Sequence, residues 1–416
     1  VYQKAVEPLN GHTPSPAGAF PALRHRNYRL WFAGQLVSFL GTWMQGTAQG
    51  YLVFELTRSP AWLGYVAFAA GVPAWLFMLL GGVAADRVPR RKLLMLTQIW
   101  LMLLAAGLAV LTFTGWVRPW HILLLAALQG VGTAFDAPAR HSFLLELVDR
   151  PSVANAVALN SAMFNTATAL GPAVGGQLYA ALGPGACFAI NAFSYLAVLL
   201  ALQRMNLAPF VPPDRRAQPW RELVQGLAYV RDHAVIRTLM LLIGATTLFG
   251  FAFVTLLPAW ASNILHGDAA TNGYLLSARG AGSLAGALLL AAFSERLPRT
   301  RTLWLGALSF PLLLALFGLM RSTGLALCAL VGIGAAVIVV FNLANAIIQI
   351  EAADELRGRV MSIYSLVFFG SMPLGSLWAG AVADGFSEPV AVFAGAAATL
   401  IVTALIAIRS RSVWTG

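Results

Sequence analysis

A chain of 416 residues that is 59% hydrophobic and only 10% charged, with a mean hydropathy of +0.74, lacks the charge to cover a soluble surface; it reads as a polytopic membrane protein. Its net charge of +11 does not point to nucleic acid, because the bases sit in short gaps between apolar runs, where they set topology. The two cysteines, Cys187 and Cys328, offer no metal spacing and no disulfide framework, and read as small core residues.

Residues 1–27 are expected to form a cytoplasmic tail. Residues 1–23 of it are rich in Pro, Gly and Ala and lack the continuous apolar stretch of a signal peptide. Charge-poor runs follow near 30–54, 60–85, 93–117, 119–147, 153–182 and 186–203, and again near 238–262, 270–293, 302–320, 325–350, 359–384 and 389–408. A bilayer crossing needs about 20 apolar residues, so the expected fold is all-α, with twelve transmembrane helices in two six-helix bundles, 28–203 and 238–409. The fourth run is the least regular, because Asp136, Arg140 and His141 interrupt it. Between the bundles, 204–237 reads as a cytoplasmic linker. Its second part, from Trp220 to Arg231, alternates apolar and polar faces at helical spacing, as an interfacial helix does. Residues 410–416 form a second cytoplasmic tail. The bases orient the chain: Arg24, Arg26, Arg29, the 87–92 cluster, Arg150, the linker, 296–301, Arg357, Arg359, Arg409 and Arg411 fall on one side. Arg58, Arg118 and Arg321 fall on the other. Both termini are therefore expected in the cytoplasm.

The second and third runs are joined by Gly82-Val-Ala-Ala-Asp86-Arg87-Val-Pro89-Arg90-Arg91-Lys92. A weaker copy, Ser294-Glu295-Arg296-Leu-Pro298-Arg299-Thr-Arg301, joins the eighth and ninth. Both read acid, Arg, apolar, Pro, Arg, any residue, base. At the same offset of about 209, Gly64-Tyr65 corresponds to Gly273-Tyr274; at about 205, Asp149 corresponds to Asp354 and Gly175 to Gly380. The chain is a duplicated unit, as in one of the known plans for secondary transporters.

On these residues the chain resembles the major facilitator superfamily, from about residue 24 to 409. Gly82, Asp86, Arg87, Arg90, Arg91 and Lys92 match its motif A, with Pro89 in place of a glycine. Gly171-Pro172-Ala-Val-Gly175-Gly176 resembles motif C of its exporting, antiporter branches, although the upstream small positions are Ala158 and Ala167. Gln129-Gly130-Val-Gly132 resembles motif B, but the motif's arginine falls at Ala126, which weakens the case for a standard proton relay. The 135–156 region is most similar to the drug and siderophore exporter branch. The resemblance implies a cytoplasmic gate in which Asp86 meets the N-terminus of the eleventh helix near Arg357 and Arg359. Arg87 or Arg90 would meet Glu146 or Asp149, and Glu295 and Arg296 would do the same job more weakly. Topology alone is the other role for these bases.

No nucleophile, metal set or phosphate loop stands out, so the chain is not expected to be an enzyme or to hold a cofactor; a proton gradient would supply the energy. Two ionisable residues lie too deep for topology. Asp136 reads as a coupling or substrate acid, or as half of an internal ion pair with Arg140 four residues on. Arg279 reads as a partner for that acid or for an anionic substrate, or as a structural residue. Gln45, Gln49, Gln129, Asn160, Asn165, Asn342, Asn345, Phe249 and Phe253 are candidates for a weakly charged, amphipathic cavity, with amide glue between helices as the alternative. The expected function is export of bulky, partly hydrophobic molecules by a monomer in the inner membrane. A facilitator, importer or lipid transporter of the same fold stays open, and a non-transporting receptor is the distant third.

Overall fold

The computed structural model describes residues 20–207, 219–293 and 296–409. These residues are helical, and the helices stop where the sequence supplies turn chemistry. Helix α1 (Arg26–Thr57) ends at Arg58, which adopts a left-handed conformation with φ 54°. Pro60, Pro119 and Pro184 then open α2 (Pro60–Arg87), α4 (Pro119–Leu144) and α6 (Pro184–Arg204), where a missing N–H costs nothing. Between them lie α3 (Arg90–Phe113) and α5 (Val153–Leu182). The second half holds α7 (Ala234–Ile264), α8 (Ala269–Ala292), α9 (Arg299–Gly318), α10 (Thr323–Glu351), α11 (Arg357–Gly385) and α12 (Glu388–Arg409). A linker helix, Pro219–Asp232, precedes α7.

Among the described residues, ten of these helices are long and apolar enough to cross a membrane. The two long helices outside that set are α1 and α5. Both carry amides and hydroxyls in their interior, including Gln35, Ser38, Gln45 and Gln49 on α1 and Asn160 and Asn165 on α5. The four named on α1 are buried against protein rather than turned outward.

Within the first half α2 packs on α4, α3 on α4 and α6, and α1 on α5 and α6. Within the second, α8 packs on α10, and α9 on α10 and α12. The halves meet along two pairs, α2 with α11 and α5 with α8. Both crossings need glycine. A Cβ on Gly380 would stand 3.0 Å from Gly64 Cα, and one on Gly176 would stand 3.0 Å from Gly273 Cα. Backbones come this close only where no side chain intervenes. The structural equivalent of Gly380 in the first half is thus Gly176, one residue beyond the Gly175 that the sequence register pairs with it.

Hydrogen bonds across the halves cluster away from the α2–α3 hairpin. Ser59 Oγ donates to Asp384 (2.5 Å), Ala173 N donates to Ser277 Oγ (2.8 Å), and Gln177 donates to Tyr274. The farthest of these contacts towards the hairpin is Trp75 Nε1 donating to the Leu366 carbonyl at 3.1 Å. Closer to the hairpin, Asp86, Arg87 and Arg357 are exposed.

Candidate transport cavity and gates

Two cavities, of about 320 and 550 Å³, lie between the halves and share Ala67, Ala70, Gln129, Thr255, Met372 and Ser376. They adjoin one another and are walled by α1, α2, α4, α7, α8 and α11. The backbone of α7 creates part of it. Thr246–Gly250 is a π turn and Phe251–Leu256 a 3₁₀ turn, and Pro258 follows. Such breaks are tolerated at membrane depth where the backbone lines a cavity. They turn Phe251, Val254, Thr255 and Pro258 to the smaller cavity.

The walls are mostly apolar, with a few hydrogen-bonding groups. Thr255 donates to Ser376 Oγ (2.8 Å), which donates on to the Met372 carbonyl (3.0 Å). Asn272, in the first turn of α8, is fully buried, and neither its Nδ2 nor its Oδ1 has a hydrogen-bond partner. Among the described lining residues none is Asp, Glu, Lys or Arg, and His141 is the titratable side chain of the larger cavity.

Gln49 and Gln129 line the space, as their sequence positions imply. The other amide and aromatic candidates do not. Gln45 accepts from Asn191 Nδ2 at 2.6 Å and ties α1 to α6. Asn345 accepts from Gln349 at 2.6 Å within α10, Asn342 is exposed, and Asn160 and Asn165 are half-buried on α5 away from the lining. Phe249 meets Trp378 edge-on with ring centroids 5.8 Å apart, and Phe253 packs in the core against Phe317. The α7 ring in the wall is Phe251, midway between them in sequence. Asn272 and Phe251 were not expected from the sequence. A signal for the former existed: it stands seven residues before Arg279, on the same face of a helix.

Asp136 is buried but stands outside the cavity. Its Oδ1 accepts from Thr97 Oγ1 (2.9 Å) and Gln98 Nε2 (2.8 Å) on α3, and Oδ2 stands 3.4 Å from Arg140. The placement of Asp136 and Arg140 in the cavity is thereby corrected: the pair faces α3 and α1, with the Arg140 guanidinium over the Phe39 ring at 4.8 Å. The helical spacing of Pro138, which lines the cavity, turns Asp136 to the opposite side. Arg279 is buried, and no ion pair or hydrogen bond reaches it among the described residues. Its guanidinium lies 5.3 Å from the Phe251 ring centroid, and Nε has no partner. A charge near the middle of a membrane helix costs about 2.5–3.5 kcal/mol on insertion scales.

The hairpin residues divide. Asp86 and Arg87 are exposed and form no ion pair among the described residues. Arg90 pairs with Glu146 and so ties the start of α3 to the end of α4. Arg91 donates to the carbonyls of Gln203 (3.0 Å) and Met205 (3.4 Å), meeting the negative end of α6. The expected partnership of Asp149 with Arg87 or Arg90 is replaced: Asp149 accepts from Ser152 N (3.2 Å) and faces His25 at 3.2 Å. The Ser152 hydrogen bond, with His25 adding, holds its carboxyl below the usual range. Arg357 pairs with Asp354 (2.6 Å) and donates to the Gln349 carbonyl (2.9 Å), so it caps α10. Arg359 is half-buried under the linker helix, where a Cβ on Gly226 would stand 3.2 Å from its own Cβ. Arg296 is exposed; Glu295 and the 410–416 tail lie outside the described residues.

At the motif in α5, Cβ atoms on Gly171 and Gly175 would press on Trp43 and Met44 of α1, and Gly176 faces α8. Pro172 is buried, and its carbonyl lies against Gly273. Gly82 has open space around it; the close approach falls one residue earlier, where a Cβ on Gly81 would overlap the Ala134 carbonyl.

Two pseudo-equivalent helix crossings around a central, partly polar cavity define a membrane transporter of the major facilitator type. The family described as "Transmembrane secretion effector" matches residues 17–414, and the chain belongs to it. It is similar to the staphyloferrin A transporter of Staphylococcus aureus, 27% identical over 86% of this chain and 90% of that protein. It is also similar to the multidrug efflux pump Tap of Mycolicibacterium fortuitum, 28% identical over 80% and 83%. Among solved structures, that of the nucleoside transporter NupG superposes with a TM-score of 0.70 at 14% identity, over 93% of this chain and 99% of that one; this likeness concerns the fold.

Proposed function

We propose that the chain is an exporter of bulky, partly hydrophobic small molecules, working by alternating access as a monomer in the cytoplasmic membrane. The observation that carries this reading is the pair of adjoining cavities between the halves, with apolar walls and a few amides and hydroxyls, flanked by two glycine-lined crossings about which the halves would rock. The name of the multidrug efflux pump Tap supports the direction, and the names of both relatives support a small-molecule substrate. In this reading twelve helices span the bilayer as six and six, with α1 and α5 counted among them because both are long enough to cross it and α1 buries its amides against protein. Both termini, the linker and the α2–α3 hairpin lie in the cytoplasm, in accord with the bases.

The energy source in this reading is a proton gradient. Asp136 is the coupling acid and acts beside the cavity, through the α4 turn that carries Thr133, Ala137 and Pro138, rather than by touching substrate. The test is pH-gradient-driven transport of a lipophilic dye in proteoliposomes. Wild-type protein should concentrate the dye, and Asp136→Asn should reduce transport to passive equilibration. Unchanged accumulation by that variant removes Asp136 from coupling. A facilitator without proton antiport is the second reading. It is favoured by the absence of any carboxylate among the described lining residues, and wild-type protein that equilibrates the dye without concentrating it would establish it.

A further inference from the structure

Of the buried polar side chains in the second half that carry an atom without a hydrogen-bond partner, two, Asn272 and Arg279, share one face of one helix. Asn272 contributes two hydrogen donors and an acceptor, none of them satisfied. Arg279 contributes a full positive charge with an aromatic ring as its sole described neighbour of opposite polarity. Seven residues of helix separate them, a rise of about 10 Å. Leu276, between them on the same face, lines the smaller cavity. Buried polar groups are as a rule satisfied, so two exceptions on one helix face, one of them lining a cavity, call for an explanation.

The route to Arg279 is through Phe251. Phe251 lines the smaller cavity, and its ring centroid lies 5.3 Å from the guanidinium. Phe251 opens the 3₁₀ turn that follows the π turn, so it sits where the α7 ladder is already irregular and a small rotation costs least. No described carboxylate forms an ion pair with Arg279 to neutralise it in place.

The geometry points to a two-point binding site for an anionic amphiphile. An acid group on the substrate pairs with Arg279 once the Phe251 ring swings aside, and a hydroxyl or carbonyl about 10 Å away bonds Asn272. The apolar body between them lies against Leu276 and the apolar wall. This rests on the reading of the cavity as the transport site and names the chemistry that the site selects. Neutral molecules enter the same space but lose the charged contact. Cations are disfavoured by the unpaired guanidinium.

The test uses 6-hydroxy-2-naphthoate, which carries a carboxylate and a hydroxyl at opposite ends of a rigid ring system, with its carboxamide and its aminomethyl analogue as controls. Equilibrium binding is measured on the full chain in nanodiscs of zwitterionic phosphatidylcholine, which removes anionic lipid as the source of the counter-charge. The carboxylate should bind at least about tenfold tighter than the carboxamide, as a charge-assisted hydrogen bond gives, and the amine most weakly. In Arg279→Gln the carboxylate preference should vanish, and in Arg279→Lys it should persist in reduced form, which separates lost charge from lost folding. Asn272→Ala should weaken all three probes several-fold, since each carries the hydroxyl, and leave the carboxylate-to-carboxamide ratio unchanged. Equal binding of carboxylate and carboxamide to the wild type, no carboxylate binding, or a preference that survives Arg279→Gln would overturn the assignment. The measurement needs no gradient and no transport. It therefore fails independently of the export reading, which stands or falls on flux.

Discussion

Adjacent residues of similar type do different work in this chain, and the difference is set by what stands opposite. Gly81 and Gly82 are the clearest case. The sequence motif draws attention to Gly82, yet a side chain there meets open space, whereas one on Gly81 would overlap the Ala134 carbonyl of α4. Overpacking of this kind costs about 1–3 kcal/mol, more if backbone must move. Gly81→Ala should therefore lower the thermal unfolding temperature by several degrees, and Gly82→Ala should leave it within error of the wild type. The reverse order would remove the steric argument. The same logic separates Phe249 and Phe253 from Phe251. Helical spacing groups the first two, and the cavity receives the third, because a π turn and a 3₁₀ turn around it break the regular period. Single-residue facing on a membrane helix is poorly legible in sequence: lipid and protein core are both apolar, so hydrophobic periodicity does not separate them.

At the scale of elements, two polar clamps hold the first half together, and they differ in burial. Asp136 joins α4 to α3 from inside, accepting from Thr97 and Gln98 beside Arg140. Arg90 and Glu146 join the hairpin to the end of α4 from the surface, with side chains 22% and 32% exposed. Removing one member of a buried hydrogen-bonded set strands the others, at about 1–3 kcal/mol per group. A surface pair contributes about 0–1 kcal/mol and is screened by salt. Asp136→Ala should thus destabilise the detergent-solubilised protein more than Arg90→Ala, and only the Arg90 effect should shrink in high salt. Equal losses would mean that the α3–α4 cluster is not the tighter clamp. The elements themselves were legible: runs of apolar residues bounded by Arg, Pro and Gly lie on the helices, and the i to i+4 reading of Asp136 with Arg140 describes their ion pair. The α1–α6 amide bridge of Gln45 and Asn191 was legible only as glue of unspecified partner, because the pairing of helices distant in sequence is not written in either segment.

At the scale of the molecule, the repeat read from glycines and charges corresponds to a packing symmetry. Gly64 on Gly380 and Gly273 on Gly176 are the same crossing made twice. The repeat shows in sequence because only glycine permits that approach. The state of the gates does not, since it depends on which of two closures is formed. Under the proposed alternating access, the antiparallel pair α2 and α11 would let one carboxylate serve each closure. Asp384, near the C-terminus of α11, accepts from Ser59 Oγ at 2.5 Å and from Ala61 N at 3.5 Å, so it sits on the N-terminus of α2. Asp86, near the C-terminus of α2, is exposed and forms no ion pair among the described residues. The first turn of α11 is its counterpart in the proposed motion, engaged when the hairpin end closes. A carboxylate at a helix N-terminus contributes about 0.3–1 kcal/mol, and up to about 2 when partly buried. Losing it should shift a two-state ratio by about two- to thirtyfold. Asp384→Asn should move the population away from the closure described here, and Asp86→Asn should move it towards this closure. Distances between spin labels placed across each end, measured in nanodiscs, read the two populations directly. Shifts in the same direction, or none for Asp384→Asn, would refute the reciprocal latch.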